Sequence, residues 1–222
     1  MRTLSRHRWI LTPTVCLAGL VAIPASAATP APAAAATVRV DVAPVTASGE
    51  PAAGFTVKNE SGSVFCSTKS PSPAAISKNI DVCYPTAEYV VACWKSATAG
   101  RALCMRDPRK KQLVSIKLDG KFAPTAPVSK ARLSPFVIIL SDGDSCEIRI
   151  GGADGPLESH PRYETSYYCA KDGDVWQLPK AAHSGVNETG ASWTVQTARA
   201  SGTGQLVTRG VARAYFVATA AS

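Results

Sequence analysis

The chain has 222 residues, 45% of them hydrophobic, and carries 24 Lys and Arg against 16 Asp and Glu for a net charge of +8. Arg2, Arg6 and Arg8, an apolar run over 10–23 and the small-residue site Ala25-Ser26-Ala27 read as a secretory signal peptide over 1–27. Its removal lowers the charge to +5, leaves a chain long enough for one sizeable core, and leaves no apolar run of the roughly 20 residues that spanning a bilayer requires. Pro13 and Pro24 argue against a retained anchor, and Cys16 lies inside the apolar run and leaves with the peptide. The expectation is a secreted, soluble domain.

Six cysteines remain: Cys66, Cys83, Cys93, Cys104, Cys146 and Cys169. An even count in an exported chain reads first as a disulfide framework. No pair has C-x-x-C spacing and only His160 and His183 survive processing, so zinc and a catalytic thiol are disfavoured. Each neighbouring pair flanks its own turn-rich segment, which favours the bridges 66 to 83, 93 to 104 and 146 to 169.

In chain order, residues 28–37 are an Ala/Pro-rich linker with nothing to bury. Residues 38–42 alternate as a first strand, 55–58 and 64–67 are short strands, and 69–78, with two prolines and three serines, is an irregular loop. The stretch 90–105 organises the rest. It reads as two strands folded through a small-residue turn, with Cys93 facing Cys104 and Trp94 facing Leu103, a disulfide on one face and core on the other.

Residues 106–111 form a charged turn and 112–118 alternate as a strand. Two prolines make 122–127 the natural boundary if the domain 38–222 divides into lobes at 38–122 and 131–222. Residues 136–140 are apolar throughout, as in a strand covered on both faces. Residues 146–150 and 163–169 are the legs of a long hairpin, 175–178 is a strand, 179–190 a loose loop, and 192–197 with 206–219 a last hairpin. No segment keeps a helical apolar period. The predicted class is all-β, a disulfide-stapled sandwich or irregular barrel of short antiparallel hairpins.

The runs Ser61-Gly62-Ser63-Val64-Phe65-Cys66, Asp81-Val82-Cys83 and Gly100-Arg101-Ala102-Leu103-Cys104, with the ending Ala191-Ser192-Trp193-Thr194-Val195 and Ala214-Tyr215-Phe216-Val217-Ala218-Thr219-Ala220, resemble an uncharacterised group of small exported cysteine-bridged proteins of actinobacteria. Asn59-Glu60 stands where many relatives have a proline before the Ser-Gly. The resemblance implies export and bridges between neighbouring cysteines, and implies nothing about chemistry.

Signatures of catalysis are sparse. A serine hydrolase would need His160 or His183 beside a serine and an acid, and there is no G-x-S-x-G elbow. Asp142-Gly143-Asp144 and Asp172-Gly173-Asp174 read as turns before they read as calcium ligands, so no metal or cofactor is expected. Charge is more informative. Residues 101–132 hold nine cations against Asp107 and Asp119, whereas the rest of the processed chain sums to −2. Arg106, Arg109, Lys110, Lys111, Lys117 and Lys121 are therefore the expected contact with an anionic envelope polymer or lipid headgroups. Nucleic acid is disfavoured because the exported chain lacks an aromatic and basic platform. The reading that follows is a non-enzymatic binding module at the cell envelope. Its alternatives are an extracellular hydrolase using His160 or His183, and a protease inhibitor presenting residues 157–162 of the loop between Cys146 and Cys169.

Overall fold

The structure, a computed structural model, describes residues 35–66, 69–85, 90–150, 156–171, 173–199 and 204–221. The expected signal peptide, most of the linker, the hairpin tip at 151–155 and the last turn at 201–203 lie outside them. The described residues contain eleven strands and no α-helix.

Six strands close on one another as a barrel: β6 (Val137–Leu140), β7 (Ser145–Ile148), β8 (Glu164–Cys169), β9 (Asp174–Gln177), β10 (Trp193–Ala198) and β11 (Val207–Ala220). Closure occurs where the long β11 meets β6, with Ala214 opposite Ile138. The other edge of β11 is shared in succession by β10, opposite residues 207–211, and by β1 (Val38–Thr46), which runs parallel to residues 213–220. Thr37 fixes the start of β1, since its backbone N–H donates to Ala191 O and its hydroxyl to Val211 O. The apolar run at 137–140 is buried on both faces except for the half-buried Ile139, because the barrel interior takes one face and the rest of the core the other.

A second sheet has the order β2 (Thr56–Val64), β5 (Gln112–Leu118), β4 (Arg101–Asp107), β3 (Cys93–Lys95), with β2 parallel to β5 and the other pairs antiparallel. Cys93 faces Cys104 and Trp94 faces Leu103, the register expected from the sequence. One face of this sheet sends Trp94, Leu103, Met105 and Leu113 into the same apolar cluster as Phe136, Ile138 and Phe216 of the barrel side. The opposite face packs Ala102, Val114 and Ile116 under the segment stapled by Cys66 and Cys83. Burial from both sides explains why β4 and β5 are buried almost continuously instead of alternating.

All three bridges join the expected neighbours, 66 to 83, 93 to 104 and 146 to 169, the latter two directly across antiparallel pairs. Such a framework fits an oxidising compartment. No helix among the described residues is long and apolar enough to cross a membrane. The all-β class is borne out, as a closed barrel with a second sheet. The two parallel pairings, β1 with β11 and β2 with β5, are additions that the hairpin reading did not contain.

Candidate functional site

The six cations expected to form one contact are divided between the two ends of the second sheet. Arg106 and the turn holding Arg109, Lys110 and Lys111 close β4 and β5 at one end; Lys117, paired with Arg101, sits at the other, with Lys121 beyond it. The ends are separated by about five residues of strand, roughly 17 Å. Most of these charges also have local partners. Arg106 and Lys58 both reach Glu60, at 3.5 and 3.1 Å. Arg109 donates two 2.9 Å hydrogen bonds to the Asp107 carboxylate and lies 3.9 Å from Glu147. Lys110 is 3.8 Å from Asp107, and Lys117 is 3.1 Å from Asp119. Burial of Asp107 disfavours its ionised form, but the bonds from Arg109 outweigh this and hold its carboxyl below the usual range. Arg109 is thus a partner for a nearly buried acid. Among the described residues, Lys111 and Lys121 alone of the six make no ion pair.

A different surface gathers more chemistry. Where the end of β11 meets β3, a groove of about 1130 Å³ runs between the turn at 46–49, the loop at 77–79 and the segment 122–124. Trp94 forms its floor, buried, with Nε1 donating to Thr219 Oγ1 at 3.3 Å. Phe122 lines one lip, and Ser48, Ser77 and Ser96 contribute hydroxyl groups. The only charged side chains in the described lining are Lys78 and Lys95, both exposed and neither ion-paired among the described residues. The groove therefore combines an aromatic floor, hydroxyls able to donate or accept, and two cations with no lining acid.

Two reciprocal contacts join its lips. Asn79 N–H donates to Thr125 O at 2.9 Å, and Thr125 N–H donates to Asn79 Oδ1 at 3.2 Å. Two residues on, Asp81 exchanges backbone hydrogen bonds with Cys93, next to Trp94. Its carboxyl is fully buried, and neither oxygen has a well-formed hydrogen bond among the described residues. Burial pushes the Asp81 pKa up to about 6, a rise that the adjacent Thr125 hydroxyl opposes.

The histidines sit elsewhere. His160 packs edge-on against Tyr163, with Nδ1 3.0 Å from Ser159 Oγ, while that hydroxyl donates to Gly204 O. His183 lies in a turn where His183 and Ser184 both have left-handed backbone (φ 53° and 50°). Its Nδ1 is 2.7 Å from Leu133 O and 3.5 Å from Glu188 Oε1, at the side of a shallow groove also lined by Lys130. Burial raises the Glu188 pKa, partly offset by His183, Arg39 and Lys130. Among the described residues His160 has a hydroxyl without a carboxylate, and His183 a carboxylate without a hydroxyl. Neither completes the constellation that a serine hydrolase requires.

The oxygens of the Asp142 and Asp144 turn are occupied by protein donors. Asp144 accepts from the N–H groups of Ser145 and Lys171, Asp142 accepts from Asp144 N–H, and Arg209 pairs with both acids. Asp144 also lies near Cys146 and Cys169, whose sulfurs are bonded to each other. The segment expected as an inhibitor loop folds back on itself: Leu157 is fully buried against Trp176 and Ala198, and it bridges to His160. Leu157 is therefore an anchor in a compact turn, whereas Glu158, Ser159, Pro161 and Arg162 of the same segment are exposed.

Compared with family models, with curated proteins and with solved structures, the chain matches none.

Proposed function

We propose that this chain is an exported, non-enzymatic binding domain that holds an anionic polymer of the cell envelope in the groove between Trp94 and Phe122. The observation that carries this reading is the groove's lining: Lys78 and Lys95 are its only described charges, set beside two aromatic rings and a row of hydroxyls. Cations in a partly enclosed cleft attract an anion more strongly than the same cations on a flat face, because the low-dielectric walls focus their field. The hydroxyls and the half-buried Phe122 ring suit the sugar or polyol units between the anionic groups of such a polymer. A cleft accepts a single chain more readily than a flat bilayer, which favours polymer over lipid headgroups. The signal peptide expected over 1–27 and the disulfide framework support an envelope or extracellular setting.

The test is retention of the secreted chain on immobilised dextran sulfate and on phosphatidylglycerol vesicles as salt rises from about 0.05 to about 0.5 M. Retention on the polymer should fall steeply with salt, and reversing both groove charges (K78E with K95E) should weaken it about tenfold or more. Reversing Lys110 and Lys111 at the far end of the sheet should change it by less than about twofold. A larger loss in the Lys110 and Lys111 variant would return the contact to the 106–121 region, and equal losses would make it a delocalised attraction that overturns the groove reading. Binding to vesicles but not to polymer would point to a membrane surface and overturn the polymer reading.

A further inference from the structure

A buried acid lies two residues beyond the contact that joins the lips of the groove. Asn79 and Thr125 join the lips through their two reciprocal hydrogen bonds, and Asp81 lies immediately behind them. Three oxygens in this spot have no well-formed partner among the described residues: both carboxyl oxygens of Asp81 and the Thr125 hydroxyl. The surroundings offer little relief. Ile80, Val82 and Cys93 flank the acid and are all buried. The charged groups on the elements packed around it are Lys78 on its own segment, Lys69 on the segment bridged to it through Pro71, Lys95 on β3 and Lys121 ahead of segment 122–127, and all four are exposed with no ion pair to Asp81. An ionised carboxylate enclosed in this way lacks the donors that would offset its desolvation.

We propose that Asp81 and Thr125 form a proton-operated latch behind the groove, shut when the Asp81 carboxyl is neutral and released when it ionises. In the neutral state the acid's O–H and the Thr125 hydroxyl can satisfy one another without water. On ionisation the proton passes to solvent, and the carboxylate is left with one potential donor. Hydration must then come from outside, at the expense of the contacts that enclose the acid, among them the Asn79 and Thr125 pair. The same event places a negative charge behind a wall whose only described lining charges are positive. Closure of the lips and retention of an anion therefore both weaken as pH rises. The position of the change follows from the burial of the acid, at about pH 6. The consequence for ligand rests on the groove reading above, whereas the latch itself does not.

Amide exchange of the unliganded chain reads the latch directly. The Asn79 and Thr125 amides should lose protection between about pH 5 and about pH 7, beyond the change in intrinsic exchange rate, while the amides of β4 and β5 keep theirs. In D81N, which cannot ionise, that loss should vanish, and its melting temperature should exceed that of the wild type by about 5 °C or more near pH 7.5, the excess shrinking toward zero as pH falls below the unfolded pKa of 3.8. Parallel melting curves for the two proteins across this range, or protection at Asn79 and Thr125 that ignores pH, would overturn the latch. So would sodium or calcium ions restoring protection in the wild type alone, since the orphaned oxygens would then be a cation site. If exchange and melting behave as stated but retention on dextran sulfate does not fall over the same pH range, the latch stands and the groove reading fails.

Discussion

At Gly49 the backbone adopts φ +88°, and a Cβ there would lie 2.6 Å from the Ala97 nitrogen and 2.7 Å from the Lys95 carbonyl oxygen. Both requirements come from the same contact: the turn at 46–49 is pressed against the strand end beside the groove, and Ala97 N–H donates to Gly49 O. Replacing Gly49 with Ala should cost about 2–3 kcal/mol, because the left-handed backbone and the closed space are each unfavourable to a side chain. Urea unfolding would measure it, and a loss under about 0.5 kcal/mol would mean that the turn can move away from β3. Single residues were only partly legible in the sequence. Cys93 could be placed opposite Cys104 because a hairpin fixes register locally. The pairing of Arg109 with Asp107 was not legible, because nothing in the sequence shows that acid buried beneath it. The setting of Asp81, Lys78 and Lys95 carried no signal at all, since the groove and the enclosure behind it are assembled from segments far apart in the chain.

The strands themselves followed the local pattern wherever a turn joined neighbours: β3 with β4, β7 with β8, and β10 with β11. The parallel pairs did not, because β1 must cross most of the chain to reach β11 and no local rule selects that partner. The groove shares this cause, being built where β1, β3 and β11 meet. Its floor depends on a strand of three residues, too short to be held by its ladder alone, so the bridge from Cys93 to Cys104 should position Trp94. Replacing both cysteines with Ala should lower stability by about 3 kcal/mol through the loss of the cross-link. It should also shift Trp94 emission to longer wavelength as the indole loses its place beside Thr219. Unchanged emission with lowered stability would show that packing against β11 is sufficient to hold the ring.

For the molecule as a whole, the carboxylates fall into two groups that pull stability in opposite directions with pH. Asp107, Asp119 and Asp142 have pKa values lowered by hydrogen bonds and nearby cations. The stability they contribute is complete above their unfolded values and is lost as pH falls through the lower folded ones. Asp81, raised to about 6, and Glu188, raised by burial, behave in reverse: their contribution is complete below the unfolded pKa values of 3.8 and 4.5 and is lost as pH rises through the folded ones. For Asp81 the shift corresponds to about 2–3 kcal/mol between the two limits. Maximum stability should therefore fall near pH 4 to 5, on the acid side of the usual range of about pH 5 to 8. Melting temperatures should rise from about pH 3 to about pH 4.5 and then decline toward neutrality. Combining D81N with Glu188→Gln should flatten the decline and leave the acid limb intact, since that limb belongs to other residues. A plateau from about pH 5 to about pH 8 in the wild type would mean that water reaches both acids in the folded chain, and that the enclosed carboxyl behind the groove is not dry.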